Sequence, residues 1–153
     1  MPRKKRITKK VLFAKAVEIL KPWMNLQNWK IIVKFGSSTK GFAAYCSAHP
    51  EYKLATIRVN TKELPRLTHN EIVAVAIHEM THCILWELGN WAADLTKDKH
   101  KIEIARRYEE QSVTNIEKIL VPLLEPILNE ALTAEGYELL DLTFTDFVIE
   151  HQK

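Results

Sequence analysis

The chain lacks the features that would place it in a disulfide-bonded, secreted or membrane class. Its 153 residues include two cysteines, Cys46 and Cys83, which are too few for a disulfide framework and are typical of buried thiols in a reducing compartment. No segment approaches the roughly 18 apolar residues that a transmembrane helix needs. The basic N-terminus is not followed by the apolar core of a signal peptide. We therefore expect a cytoplasmic protein that makes no membrane contact.

Internal repeats and low-complexity linkers are also missing, and this length is typical of one domain with its own core. Residues 1–10 carry six basic side chains and no acidic one, whereas the rest of the chain has 16 basic and 19 acidic residues. The sequence thus predicts a basic flexible arm at residues 1–10 and a single domain at residues 11–153. Residues 3–10 could make a weak contact with nucleic acid, or could simply be a solvated terminus.

Apolar periodicity predicts helices and a small sheet. Helical spacing covers residues 8–21, and short β-branched or alternating segments cover residues 29–35, 41–48 and 54–60. Three short strands with short connections favour a mostly antiparallel sheet. A second helix is expected at residues 69–87, from the Thr68/Glu71 capping box to a stop at Gly89.

A third helix is expected from about residue 98 to residue 120. Pro122 and Pro126 should then produce a kink or a fresh helix over residues 123–133, which Gly136 ends. Residues 137–153 form a C-terminal tail that is predicted to be either docked on the domain or extended. The fold class is therefore α+β.

The second helix contains the pattern His78-Glu79-x-x-His82. Residues four apart lie on one face of a helix, so the two imidazoles can bind one metal ion. Glu79 lies one residue round from His78, where it can act on water as a general base. Apolar residues surround this helix on several sides, and a buried imidazole without a partner would be costly. A metal site explains the two buried histidines.

A catalytic zinc site needs a third protein ligand. Leu85 and Leu88 occupy the glycine and third-histidine positions of the metzincin pattern, which excludes that class. The next candidates are Glu109 and Glu110 on the third helix. Adjacent residues point about 100° apart, so only one of these carboxylates can face the histidines, and periodicity alone does not choose between them.

A strand set, an H-E-x-T-H helix and a glutamate helix together resemble the gluzincin branch of the zincin metallopeptidases. The short chain is similar to the minigluzincins and to short phage-type metallopeptidases, over about residues 29–120. In that family the ligand glutamate precedes a small or apolar core residue by three positions, and an Asp or Asn follows at the fourth. Matching Val113 to the core position selects Glu110, with Glu109 in reserve. The fourth position, whose Asp or Asn would support a ligand histidine in that family, is then Thr114.

This resemblance implies a zincin-like fold and a peptide hydrolase with one zinc ion per chain. His78, His82 and Glu110 would be the ligands, and Glu79 would be the general base for hydrolysis of a peptide or protein substrate. The residue that stabilises the oxyanion is open among four candidates: Tyr45, Tyr52, His100 and Tyr108.

Two other functions are compatible with the sequence. The chain could be a zincin-fold module that binds nucleic acid or protein and holds a non-catalytic zinc, with residues 3–10 as the nucleic-acid contact. It could also be a latent enzyme whose acidic and apolar tail, residues 137–153, occupies the cleft.

Overall fold

A computed structural model shows a mixed α+β chain in which three helices pack with one three-stranded sheet. The structure describes residues 4–138, apart from the side chains of residues 87–89 and 91–93. The first helix, α1, spans Lys9–Leu20, and the side chain of Thr8 caps its N-terminus by accepting a hydrogen bond from Val11 N. The predicted helix at residues 8–21 is confirmed.

The sheet has the order β1-β3-β2, with β1 at Lys30–Gly36, β2 at Ala44–His49 and β3 at Leu54–Asn60. All three predicted strands are present. β2 pairs antiparallel with β3, as expected, but β1 pairs parallel with β3, so only one of the two pairings is antiparallel. The connection from β1 runs past the central position to the far edge, which makes β2 an edge strand.

Helix α2 spans His69–Asp94 and begins at the predicted capping box. Thr68 Oγ1 accepts from Glu71 N at 3.3 Å, and Glu71 Oε2 accepts from Thr68 N at 2.6 Å. The predicted end at residue 87 is wrong, because the helix continues through Gly89. A glycine inside a helix costs only about 1 kcal/mol relative to alanine, and no proline follows before Asp94.

Helix α3 spans Lys99–Ala134 as one element, so the separate helix predicted at residues 123–133 does not form. Pro122 and Pro126 each remove one backbone donor, yet the buried face stays in phase through both positions. That face continues at spacings of three and four residues: Val121, Leu124, Leu128 and Leu132. The helix ends at Gly136, whose φ of 86° is the left-handed conformation that favours glycine.

The core lies between α1, α2 and the inner face of the sheet, and its largest buried side chains include Phe13, Ile57, Ile77 and Met80. Part of the predicted basic arm joins this body. Ile7 is buried, and Lys5 forms a parallel bridge with Tyr137 beyond the end of α3. Most of the predicted tail, residues 139–153, lies outside the described residues, as does the hypothesis that it fills the cleft.

No helix within the described part of the chain has the length and apolarity needed to cross a membrane.

Candidate metal centre

Helices α2 and α3 bring His78, His82 and Glu110 together. The Nε2 atom of His78 lies 3.6 Å from Glu110 Oε2, and Nε2 of His82 lies 3.4 Å from Glu110 Oε1. One ligand atom from each of the three residues falls within 4.8 Å of the others, which is close enough to hold one metal ion. The one-turn spacing on α2 aligns the imidazoles, with ring centroids 5.0 Å apart.

Each histidine is held from behind by a second carboxylate on α3. Nδ1 of His78 lies 2.8 Å from Glu117 Oε2, and Nδ1 of His82 lies 3.2 Å from Glu109 Oε1. A carboxylate can only accept a hydrogen bond, so each ring donates from Nδ1. Both imidazoles are thereby fixed in the tautomer that leaves the Nε2 lone pair directed at the Glu110 carboxylate.

This arrangement fits a cation. With Nδ1 protonated and Nε2 bare, two nitrogen lone pairs face the oxygens of Glu110, and acceptors placed against each other repel. A metal ion among these three ligands replaces that repulsion with coordination. Two imidazole nitrogens and one carboxylate oxygen are a donor set that zinc takes in catalytic sites. In the metal-free state an extra proton partly meets the same need. Burial lowers the pKa of His78, but the hydrogen bond to Glu117 and the charges of Glu79, Glu117 and Glu110 together raise it above its ordinary value.

Glu79 stands beside this group without joining it. Its side chain is buried, with 5 % of the residue exposed, and one carboxylate oxygen, Oε2, has no hydrogen-bond partner. The backbone N–H of Cys46 on β2 donates to the carboxylate. Burial raises the pKa of Glu79 to about 7, although the nearby His78 and His82 lower it. A carboxylate with a pKa near neutrality is suited to take a proton and give it back.

Behind Glu79 the two cysteines meet, with their Sγ atoms 3.5 Å apart. Cys83 is buried, as predicted, whereas Cys46 is half-buried because it also lines the cleft. The hydrogen bond with Cys83, followed by burial, raises the pKa of the Cys46 thiol above its ordinary range. The Cys46 thiol therefore stays protonated, and its contact with Cys83 joins α2 to β2.

The candidate metal centre opens into a cleft of about 520 Å³. One wall is β2 with the loop before it, and the other wall is α3. Of the four oxyanion candidates, only Tyr45 is among the described residues that line this cleft. Tyr52 and Tyr108 are strongly exposed elsewhere. The remaining lining is mainly apolar, with one amide and one arginine: Phe42, Ala44, Trp86, Ile102, Asn90 and Arg106.

The sequence reasoning missed the carboxylates behind the histidines. Thr114 was the position at which the family pattern has an Asp or Asn, but the structure instead places Glu117 at His78. Glu109, the reserve ligand, is the partner of His82 on the side away from the metal group. A signal for Glu117 was present, since it follows Glu110 by seven residues and so lies two turns along nearly the same face of α3.

Comparison with known proteins adds no relative from which a role could be transferred. No protein-family model, curated protein or solved structure matches this chain, so its function is argued from the residues described above.

Proposed function

We propose that this protein is a zinc-dependent peptidase in which His78, His82 and Glu110 hold the metal and Glu79 is the general base. The observation that carries the proposal is the grouping of two Nε2 atoms and one carboxylate beside a buried carboxylate that has an unpartnered oxygen. A site that only held a metal would not need the buried carboxylate of Glu79 with its unpartnered oxygen.

Zinc in such a site supplies Lewis-acid chemistry, lowering the pKa of water to about 7 and polarising the scissile carbonyl. The protein's own part begins with Glu79, whose free Oε2 accepts the proton of the attacking water. The raised pKa of Glu79 lets the resulting carboxylic acid form near neutral pH and pass the proton to the leaving amine. Its hydrogen bond from Cys46 N restrains the carboxylate beside the cleft, which Glu79 lines.

Glu109 and Glu117 act on the histidines and not on the substrate. By accepting from Nδ1 they keep the ring planes fixed and make the Nε2 atoms better electron donors. The phenol of Tyr45 lies at the cleft wall, where it could donate to an oxyanion.

The test compares hydrolysis of a quenched fluorescent peptide by zinc-loaded wild type and by zinc-loaded Glu79→Gln. Gln keeps the size of the side chain but cannot take the proton, so we expect Glu79→Gln to retain zinc and lose at least about 100-fold in kcat. Glu130→Gln, an exposed change on α3, is the charge-matched control and should keep full activity. Equal rates for Glu79→Gln and wild type would overturn the assigned base. Absence of hydrolysis by zinc-loaded wild type would overturn the peptidase.

A further inference from the structure

The metal cleft shares a wall with a second cavity. This cavity, of about 360 Å³, lies over the strands next to the cleft, and Phe42 and Tyr45 line both spaces. Because β2 is the edge strand, a chain lying in the cleft can pass over these two aromatic side chains onto the outer face of the sheet.

Strand register places a row of polar side chains on that face. Lys34 of β1 is opposite Arg58 of β3, which is opposite Tyr45 of β2. The residues on either side of Arg58, Ile57 and Val59, are buried against the core, so the row points away from the helices. Adjacent strands are about 4.8 Å apart, so the row extends roughly 10 Å from the rim at Tyr45 to Lys34.

The positive charges of this cavity are not neutralised by the protein. Within the described chain Lys34 has no ion-pair partner. The guanidinium of Arg58 has no acidic partner there either; it donates to the hydroxyl of Tyr45 and lies over its ring. The described residues that line the cavity include neither Asp nor Glu. The metal cleft differs, since three glutamates line it.

The cavity is also pre-formed by a buried amide. Asn60, with 3 % of its surface exposed, donates from Nδ2 to the carbonyls of Ser38, Lys40 and Phe42. Its Oδ1 accepts from Ser38 N at 3.2 Å. The loop that carries Phe42 is therefore held in place, and a ligand would meet a rigid wall with little ordering cost.

We propose that this second cavity is a substrate subsite for acidic side chains, so that the peptidase acts on acidic peptides. The inference rests on the proposed function, because a peptide in the metal cleft is what brings a carboxylate to Lys34 and Arg58. A row of about 10 Å corresponds to roughly three residues of extended chain, so the preferred Asp or Glu lies within about three residues of the point where the peptide crosses Tyr45.

The binding test uses the 153-residue Glu79→Gln protein loaded with zinc and short fluorescein-labelled alanine-based peptides. One peptide has Glu residues N-terminal to its centre, the second has them C-terminal, and a third has Gln at both places. At low salt we expect one acidic peptide to bind about tenfold more tightly than the Gln peptide, from two exposed charge contacts. The preference should fall as salt is added.

Variants show which residues produce the preference for the acidic peptide. In the Glu79→Gln background, Lys34→Gln/Arg58→Gln should abolish the preference, and Lys34→Gln alone should reduce it. The control Lys101→Gln/Arg107→Gln also removes one lysine and one arginine charge, but from exposed positions on α3 that line neither cavity. It should leave the preference intact. Equal binding of acidic and Gln peptides, or the same loss in both double variants, would overturn the subsite. Tighter binding of a single-stranded oligonucleotide that depends on Lys34 and Arg58 would assign the face to nucleic acid instead.

Hydrolysis by the wild-type protein separates this inference from the proposed function. Cleavage of the acidic and Gln peptides with equal kcat/KM would overturn the subsite and leave the peptidase standing. Selective binding of the acidic peptide, without cleavage of any peptide, would support the acidic site and overturn the peptidase. A lower KM for the acidic peptide at unchanged kcat would support both the acidic subsite and the peptidase activity.

Discussion

At the scale of single residues, the candidate metal site of His78, His82 and Glu110 depends on the orientation of each imidazole ring. His78 and His82 are each placed between two carboxylates of α3, one at Nδ1 and the shared Glu110 at Nε2. The Nδ1 contacts are the shorter ones, at 2.8 and 3.2 Å, so they set the tautomer. The orientation of the histidines in the candidate metal site therefore depends on two carboxylates outside the group of His78, His82 and Glu110.

We expect Glu117→Ala to weaken zinc binding by about 10- to 100-fold, because Nδ1 of His78 loses the acceptor that fixes its ring. A competition titration against a chromophoric chelator measures the affinity. Thr114→Val is the informative control, since the family pattern puts the histidine partner at that position and the structure puts it at Glu117. Weakened binding in Thr114→Val together with normal binding in Glu117→Ala would contradict this assignment.

A second expectation at this scale concerns Glu79 in the zinc-free protein. Its pKa rises from an ordinary 4.5 to about 7 on folding, so its contribution to stability is complete below pH 4.5 and is lost as pH rises through 7. The raised pKa of His78 acts in the same direction, because its extra proton also leaves as pH rises. Chelator-treated wild type should therefore lose stability between about pH 5 and pH 8, by up to about 3 kcal/mol from Glu79.

Glu79→Gln should flatten that pH profile, since Gln does not ionise. Urea unfolding at several pH values in the presence of chelator measures the difference. Parallel profiles for wild type and Glu79→Gln would show that the Glu79 carboxyl does not have the raised pKa assigned to it.

At the scale of elements, sequence patterns located each helix and strand better than they located its ends and partners. The Thr68/Glu71 box predicted the start of α2 because capping is a contact between near neighbours. Gly89 and the prolines of α3 misled because their local penalties are a few kcal/mol at most, and packing along the helix outweighs them. The parallel pairing of β1 with β3 depends on contacts between distant parts of the chain, so no local pattern reports it.

Packing between elements also explains which residues of the candidate site could be predicted from the sequence and which could not. The H-E-x-x-H spacing places two histidines on one face of α2 without any knowledge of the fold. The choice of Glu110 over Glu109, and the positions of Glu109 and Glu117, depend on how α3 is rotated against α2. That rotation follows from packing between the two helices, which periodicity in α3 alone leaves undecided.

Gly136 provides a test of the end of α3. Its amide donates to Thr133 O, the next amide donates to Leu132 O, and its φ is 86°, so a side chain there is strained although space is open. We expect Gly136→Ala to lower the free energy of unfolding by about 1–2 kcal/mol. Gly36→Ala also meets open space but at an ordinary φ, and it should be nearly neutral or stabilising. An equal loss in both variants, measured by urea unfolding, would contradict the account of this helix end.

At the scale of the whole molecule, the candidate metal site links α2, which carries His78 and His82, to α3, which carries Glu110. α2 packs on the sheet and on α1, and α3 meets α2 along the face that carries the site. Bound metal should therefore stabilise the packing of α3 on α2 as well as the three ligands, and its removal should lower the thermal stability of the entire domain.

If His78, His82 and Glu110 form a zinc site, the metal content of the purified protein must show it. The purified 153-residue protein is dialysed against buffered zinc, and bound metal is measured for wild type, Glu110→Ala and Glu109→Ala. We predict one zinc per wild-type chain, strong loss in Glu110→Ala, and retention with reduced affinity in Glu109→Ala. If the folded wild-type chain binds no zinc, or if Glu110→Ala has an unchanged zinc content, His78, His82 and Glu110 do not form a zinc site.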